Sequence, residues 1–208
     1  MNTTEEQAQK PIEHRAFIPS DRIELRAADG DKPQTLIGYA AVFNSPTDLG
    51  WYTEQIEPGA FSRSLADGDD VRALADHDSG IGKVLGRRSA GTLRLEEDRN
   101  GLRVEIDLPN TTTAADLLEQ LRLKNVDGMS FGFRTREDKW NYEAEPPVRT
   151  IMDAELIEVS VVTFPAYADT SIAKRSLEHA KGEQRDNSPP TPTSTEVLRL
   201  RARARRHK

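Results

Sequence analysis

The middle of the chain alternates between strand-like and helical spacings of its hydrophobic residues. Residues 36–43 (LIGYAAVF) and 154–164 (AELIEVSVVTF) are apolar runs that predict buried strands. Residues 92–108 alternate apolar and charged positions on both sides of Asn100-Gly101, which predicts a half-buried hairpin with a tight turn. Residues 71–78 (VRALADHD) predict a further strand that ends in a polar segment.

Helices are predicted where this pattern gives way to a longer period. After the hairpin, apolar residues recur at helical spacing and the threonines at 111–113 offer an N-cap, so a helix of about three turns is predicted up to Asn125. Residues 57–70 (EPGAFSRSLADGDD) predict a short helix that ends at Gly68. A last helix is predicted at residues 171–181.

These elements predict a β-rich α+β domain, closed or partly closed, at residues 19–181. Residues 1–18 are polar and are expected to be loose. Residues 182–195 are rich in Pro, Ser and Thr, which predicts a linker without a core of its own. The linker leads to a C-terminal tail at residues 196–208.

The 208 residues carry a formal net charge of -6 at pH 7, but this charge is unevenly distributed. The last ten residues, RLRARARRHK, contain six Arg or Lys and no acid, so the rest of the chain is more acidic than the total implies. The basic tail is therefore interpreted either as a solvated end, as a contact for an acidic protein or nucleic acid, or as a segment removed by self-cleavage.

The chain contains no cysteine, which excludes disulfides, thiolate metal sites and cysteine nucleophiles. No apolar run approaches the roughly 18 residues of a membrane span, and the first residues lack the apolar centre of a signal peptide. We therefore expect a soluble intracellular protein with no membrane partner.

Residues 126–133 (VDGMSFGF) place a serine between two glycines in a strand-like run. Alternation puts the large apolar side chains on one face and leaves Gly128, Ser130 and Gly132 on the other. Because glycine in a strand often marks the close approach of another backbone or a ligand, this bare face is a candidate docking surface. Ser130 is then either a nucleophile or a small polar filler.

A serine nucleophile needs a base, which is most often a histidine. Of the four histidines, His14 falls in the segment expected to be loose, and His179 and His207 fall at or beyond the edge of the domain, so His77 is the candidate base. His77 is alternatively a surface residue or a metal ligand. Since no further histidine of the predicted core completes a ligand set, no metal site is predicted.

Glu158 lies in the apolar run 154–164, where its carboxylate is expected to be at least partly buried and to need a partner. His77 is one candidate partner, and it would complete a serine, histidine and acid arrangement. An arginine such as Arg134 or Arg136 is the other.

The segment from Gly128 to Gly132 also matches G-x-S-x-G, the nucleophile elbow of α/β-hydrolases. That elbow requires a helix after the serine and an acid and a histidine later in the chain. Here the residues that follow have little helical pattern and the order is histidine, serine, glutamate, so the elbow is rejected.

With these residues in place, the sequence resembles the prohead maturation proteases of tailed bacteriophages, which are similar in fold to the herpesvirus assemblins. The resemblance covers roughly residues 24–173. Its carriers, in chain order, are GYAAVFN, EPGAF, ADHD with His77, VLGR, GMSFGF with Ser130, and LIEVSVVTFPAY with Glu158.

The resemblance implies that His77 is the base and Ser130 the nucleophile, and that Glu158 is the third member. The assemblins use a second histidine at the comparable strand, so an acid departs from that branch, although it is usual among the phage enzymes. Asp153 and Glu155 are the alternatives for this role.

The resemblance further implies an antiparallel β-barrel wrapped by helices and an endopeptidase that needs no cofactor. This enzyme would act in the host cytoplasm, inside the assembling prohead, on scaffold protein or on a scaffolding segment of the major capsid protein, and on itself. Gly128 and Gly132 would then let the substrate backbone approach Ser130, and the basic tail would contact scaffold or nucleic acid. Assemblins dimerise, but no interface pattern in this sequence carries self-association over. A non-catalytic capsid assembly factor and an unrelated esterase are the alternative functions.

Overall fold

The computed structural model describes residues 10–17, 23–30, 33–163, 177, 178 and 181. The chain divides into two compact units, Met1–Lys174 and Arg175–Lys208. In the second unit residues 177, 178 and 181 are helical, and most of the helix predicted at 171–181 lies outside the described residues. The predicted linker and basic tail also lie outside them.

The described part of the first unit consists mainly of strands. The strands are β1 (Glu13–Phe17), β2 (Glu24–Arg26), β3 (Thr35–Val42), β4 (Thr47–Asp48), β5 (Thr53–Ile56), β6 (Arg72–Ala75), β7 (Val84–Arg87), β8 (Leu93–Glu97), β9 (Gly101–Asp107), β10 (Gly128–Asn141) and β11 (Val148–Val162). The helices are α1 (Ser62–Asp67) and α2 (Thr112–Arg122), with a short 3₁₀ turn at Ile81–Lys83.

The described strands form two sheets. The larger has the order β1-β10-β11-β5-β4, with β6 also paired to β11 and β7 paired to β6. The smaller has the order β2-β3-β9-β8. Strands β10 and β11 form a long antiparallel hairpin, which is the common neighbour of the elements around the candidate site.

The β-rich α+β class is confirmed, but the closed antiparallel barrel is not. Strands β5 and β6 both pair with β11 in the parallel direction, at residues 148–151 and 158–161 respectively. Because two short strands share one edge of β11, the sheet branches there, and the outer strands β1 and β4 do not pair with each other in the described part of the chain. The strictly antiparallel arrangement is therefore wrong for these two pairings.

The core-facing side of β10 follows the predicted alternation. Met129, Phe131 and Phe133 are buried, and the Phe131 ring packs edge-to-face on Phe61 with centroids 5.4 Å apart. Burying each such side chain stabilises the fold by about 1.5–3 kcal/mol. The opposite side of β10, with Gly128, Ser130 and Gly132, therefore faces the candidate site.

Several local predictions are confirmed. The hairpin at 92–108 is β8 and β9, paired antiparallel. Helix α2 begins after Thr111, whose side chain accepts a hydrogen bond from the Ala114 N–H at 3.3 Å. Helix α1 ends at Gly68, which adopts the left-handed conformation with φ 79°.

The expectation that the N-terminal segment is loose is wrong for Glu13–Phe17. These residues form β1 and pair with β10, and the buried charges of Arg15 and Glu13 find partners in the sheet at Glu54 and Arg149. Strand β10 continues to Asn141 and β11 begins at Val148. Among the described helices none has the length and apolar character needed to cross a membrane.

Candidate active site

Three neighbouring strands bring the candidate residues to one face of the larger sheet. Ser130 on β10 lies opposite Ser160 on β11, and Gly132 lies opposite Glu158. On the other edge of β10, His14 of β1 also lies opposite Gly132. Because directly paired residues share a face, the serines, the acid and His14 are all on the side predicted to be bare.

His77 reaches this face from a turn and not from a strand. Strand β6 ends at Ala75, and Asp76 and His77 both adopt left-handed backbone conformations, with φ 53° and 59°. Each such non-glycine residue costs of the order of 1 kcal/mol or more. The turn is held by Asp76, whose N–H donates to the Val161 carbonyl at 2.9 Å and whose Oδ1 accepts from the Thr163 N–H at 2.8 Å. The strand predicted at residues 71–78 therefore ends before His77.

The turn places the His77 ring against the buried carboxylate of Glu158. His77 Nδ1 lies 2.7 Å from Glu158 Oε1, and the Glu158 side chain is 9% exposed. Ser160 Oγ donates to the other oxygen, Oε2, at 2.6 Å and accepts from the His77 N–H at 3.2 Å. Glu158 is therefore fixed at both oxygens, and His77 is held by its backbone and its ring.

The alternative partners and acids are otherwise engaged. Arg134 pairs with Glu155 at 3.2 Å, and Arg136 lies 3.7 Å from Asp153. Glu158 thus has the histidine and not an arginine as its partner, and the two substitute acids lie in separate ion pairs.

Ser130 is on the correct face but is not joined to His77. Its hydroxyl is fully buried and donates to the carbonyl oxygen of Arg15 at 2.8 Å. His77 Nε2 is buried and has no hydrogen-bond partner among the described residues. A neutral imidazole that donates from Nδ1 to Glu158 keeps Nε2 as an acceptor, which is the state that a general base requires.

A second histidine, absent from the predicted site, completes this face. The His14 ring packs edge-to-face on His77 with centroids 4.5 Å apart, and His14 Nε2 lies 3.6 Å from Glu158 Oε1. Burial lowers the pKa of His14, His77 and Arg15 lower it further, and Glu158 opposes them. With one ligand atom each, His14, His77 and Glu158 could together hold a metal ion, since these atoms lie within 4.8 Å of one another.

Gly132 supplies the space in which these side chains meet. A Cβ at this position would lie 2.7 Å from Glu158 Oε1 and 3.1 Å from His14 Cδ2. The missing side chain therefore makes room for the acid and for His14, and the face at Gly132 is not bare as the sequence suggested. A role for Gly128 and Gly132 in binding substrate stays a prediction.

A buried ion network holds β1 in place beside the site. Arg15 contacts Glu13 at 2.7 Å and Glu54 at 2.5 Å, and Arg149 contacts the same acids at 2.7 Å and 3.0 Å. Burial alone would raise the pKa of Glu13, but the hydrogen bond and charge of Arg149, with the charge of Arg15, outweigh it and lower the pKa to about 2. The network thereby fixes the strand that carries His14 and the carbonyl group bound by Ser130.

Comparisons with known proteins identify a family and a similar fold. A family model described as caudovirus prohead serine protease matches residues 21–183. Among solved structures, the bacteriophage T4 capsid assembly protease gp21 is similar with a TM-score of 0.54 and 8% sequence identity, over 74% of this chain and 99% of that chain. At this identity the likeness concerns the fold alone. No curated protein matches the sequence.

Proposed function

Because the chain belongs to the caudovirus prohead serine protease family, we propose that it is a serine endopeptidase of capsid maturation. Its substrates would be the scaffold protein, or a scaffolding segment of the major capsid protein, inside the assembling prohead in the host cell. Cleavage of its own chain and contact of its basic tail with scaffold or nucleic acid belong to the same proposal.

The observation that carries the proposal is the 2.7 Å contact between His77 Nδ1 and Glu158 Oε1 beside an unpartnered His77 Nε2. A carboxylate on one ring nitrogen orients the imidazole and stabilises the imidazolium that forms when the other nitrogen takes a proton. The hydroxyls of Ser160 and Ser130 are both hydrogen-bonded, but Ser160 donates to the acid of the proposed triad and Ser130 to a backbone carbonyl, so we assign Ser130 as the nucleophile.

The reaction would begin when the Ser130 hydroxyl exchanges its acceptor. Ser130 Oγ would leave the carbonyl of Arg15 and donate to His77 Nε2. His77 then takes the hydroxyl proton as Ser130 Oγ attacks the scissile carbonyl, and it returns that proton to the leaving amine. Water, deprotonated by His77, releases the acyl group from Ser130.

Coexpression with capsid and scaffold proteins tests this function. With Ser130→Ala we expect the capsid protein, the scaffold and the protease itself to stay full length by intact-protein mass spectrometry. The matched control is Ser89→Ala, an exposed serine away from the candidate site, which should process them normally. Normal processing by Ser130→Ala would exclude Ser130 as the nucleophile.

A second candidate function, a non-catalytic capsid assembly factor, is favoured by one observation. Ser130 is fully buried and hydrogen-bonded to the backbone of Arg15, as an idle serine would be. A fluorophosphonate probe applied to assembled proheads separates the two. Labelling at Ser130 supports the protease, and absence of labelling supports the assembly factor.

A further inference from the structure

The side chains of His14, His77 and Glu158 converge from three separate elements. His14 comes from β1, His77 from the turn after β6 and Glu158 from β11. Glu158 Oε1 is the common point of the cluster, at 2.7 Å from His77 Nδ1 and 3.6 Å from His14 Nε2. No metal site was predicted from the sequence, because His14 was assigned to the segment expected to be loose.

We propose that His14, His77 and Glu158 form a binding site for a zinc-type divalent ion and that the bound ion blocks catalysis. The inhibition of catalysis rests on the proposed protease function, whereas the binding of the ion does not. The ion would be a reversible inhibitor held by two catalytic residues and one residue without a catalytic role.

The donor set is one that zinc uses. Two imidazole nitrogens and one carboxylate oxygen match a three-residue zinc site with an open fourth position, whereas Mg²⁺ prefers oxygen ligands. Zinc bonds of about 2.0–2.2 Å in a tetrahedron place the ligand atoms roughly 3.4 Å apart. The separations of His77 Nδ1 and His14 Nε2 from Glu158 Oε1, 2.7 Å and 3.6 Å, lie on either side of that value. All three ligand atoms lie within 4.8 Å of one another, so rotations of the side chains would bring them to the zinc spacing.

The surrounding structure supports the three ligands. Strand β1 is anchored on both sides of His14 by the buried charges of Glu13 and Arg15. Ser160 Oγ holds the second oxygen of Glu158, which is the kind of outer hydrogen bond that orients metal ligands. The His14 side chain is 40% exposed, so an ion can reach the cluster from solvent.

Metal binding would remove the base from catalysis whichever nitrogen of His77 it occupied. An ion on Nε2 would take the lone pair that accepts the Ser130 proton. An ion on Nδ1 would leave the neutral ring protonated at Nε2, which then donates and cannot accept. Either arrangement also draws Glu158 away from its role of stabilising the imidazolium.

Zinc titration of an inactive chain tests the site without any protease activity. The full-length chain carries Ser130→Ala to prevent self-cleavage, and His179→Ala with His207→Ala to leave His14 and His77 as its only histidines. Isothermal titration with Zn²⁺ should show one ion per chain, and Mg²⁺ should not compete for it.

Adding His14→Ala to this chain removes a proposed zinc ligand. Loss of a residue that only hydrogen-bonds to a metal ligand weakens metal binding by about 10- to 100-fold, so the loss of His14 should weaken zinc binding by at least that factor. Glu158→Gln, which keeps the shape of the side chain and removes its charge, should also weaken it. Thermal unfolding of each variant shows that the comparison is made on folded protein. Zinc binding that is absent, or unchanged in both variants, would overturn the site.

The inhibitory effect is measured as the ratio of capsid-protein processing rates with and without Zn²⁺. Zinc should lower the rate of the wild-type chain, a chelator should restore it, and His14→Ala should reduce the inhibition. Zinc binding by a wild-type chain that never processes capsid protein would leave the site standing and reject the proposed function. Equal inhibition of the wild type and His14→Ala would reject the inhibitory role of this site.

Discussion

The carbonyl oxygen of Arg15 lies 2.8 Å from Ser130 Oγ and accepts its hydrogen bond. This contact ties the candidate nucleophile to β1, whose position is set by the ion pairs of Arg15 with Glu13 and Glu54. The base beside it is already oriented by Glu158. Before Ser130 could act on a substrate, its hydroxyl would have to leave the Arg15 carbonyl and donate to His77.

Glu158→Gln should lower the rate of capsid-protein processing by about 10⁴-fold, as the equivalent change does in a serine protease triad. Glutamine can still contact His77 Nδ1, but it cannot stabilise the imidazolium. The rate is followed by gel densitometry with purified capsid protein as substrate.

The matched control for Glu158→Gln is Glu155→Gln, which removes a carboxylate that pairs with Arg134. We expect its processing rate to stay close to that of the wild type. A large loss in Glu155→Gln with little loss in Glu158→Gln would move the acid of the triad to Glu155.

Gly132→Ala should lower both activity and stability. The new Cβ would lie 2.7 Å from Glu158 Oε1, so the carboxylate must move away from His77 or the strands must separate. Overpacking of this kind costs about 1–3 kcal/mol. Urea unfolding measures the stability, and capsid-protein processing measures the activity.

Gly82→Ala is the control for this substitution, because a Cβ there meets no atom within 4 Å and the backbone is not left-handed. It should unfold at the same urea concentration as the wild type or slightly above it, since Gly→Ala at an unstrained position lowers the entropy of the unfolded chain. If Gly132→Ala unfolds at the same urea concentration as the wild type, then Glu158 and His14 do not need the space left by the missing side chain at residue 132.

The strand pattern of the sequence was sufficient to place Ser130 on the side of its strand opposite the large apolar residues, and to place Glu158 in a buried strand. That the two share one face depends on the register between β10 and β11, which the pattern does not report. The need of a buried carboxylate for a partner left His77 and an arginine as candidates for Glu158, and the structure selects His77.

The position of His14 could not be predicted in the same way. Strand β1 contains Glu13 and Arg15, which resemble exposed residues in sequence but are buried against Glu54 and Arg149 far along the chain. Such pairings depend on tertiary contacts that local periodicity does not report. The turn at His77 was hidden for a related reason, since left-handed conformations at non-glycine residues have no reliable sequence signal.

The buried network should make the protein sensitive to acid through Glu13. Its folded pKa is about 2 against an ordinary value of 4.5, so the carboxylate contributes stability that is complete above pH 4.5 and is lost as the pH falls toward 2. The difference corresponds to about 3 kcal/mol. The charged and polar groups that surround it are Arg15, Tyr52, Glu54, Thr135, Asp138 and Arg149.

We expect Glu13→Gln to be less stable than the wild type at pH 7 and the two proteins to converge as the pH is lowered from 5 to 3. Urea unfolding at several pH values measures the difference, and Glu24→Gln, an exposed position on β2, serves as the control. A stability difference that does not change with pH would show that Glu13 acts by packing and not by its charge.

Ser160 is predicted to act as a positioning residue that never touches substrate. Its hydroxyl donates to Glu158 Oε2 at 2.6 Å and accepts from the His77 N–H at 3.2 Å, so it fixes the acid and the base together. Hydrogen bonds to charged groups contribute about 1.5–3 kcal/mol, and Ser160→Ala should therefore lower kcat by about 10- to 100-fold while KM changes little.

Ser160→Thr, which keeps the hydroxyl, should recover most of the lost rate, because the hydrogen bond and not the volume of the side chain matters. Both variants are compared with the wild type at concentrations corrected for the folded fraction. Wild-type kcat in Ser160→Ala, or no recovery in a well-folded Ser160→Thr, would show that the position of Glu158 is set without this hydroxyl.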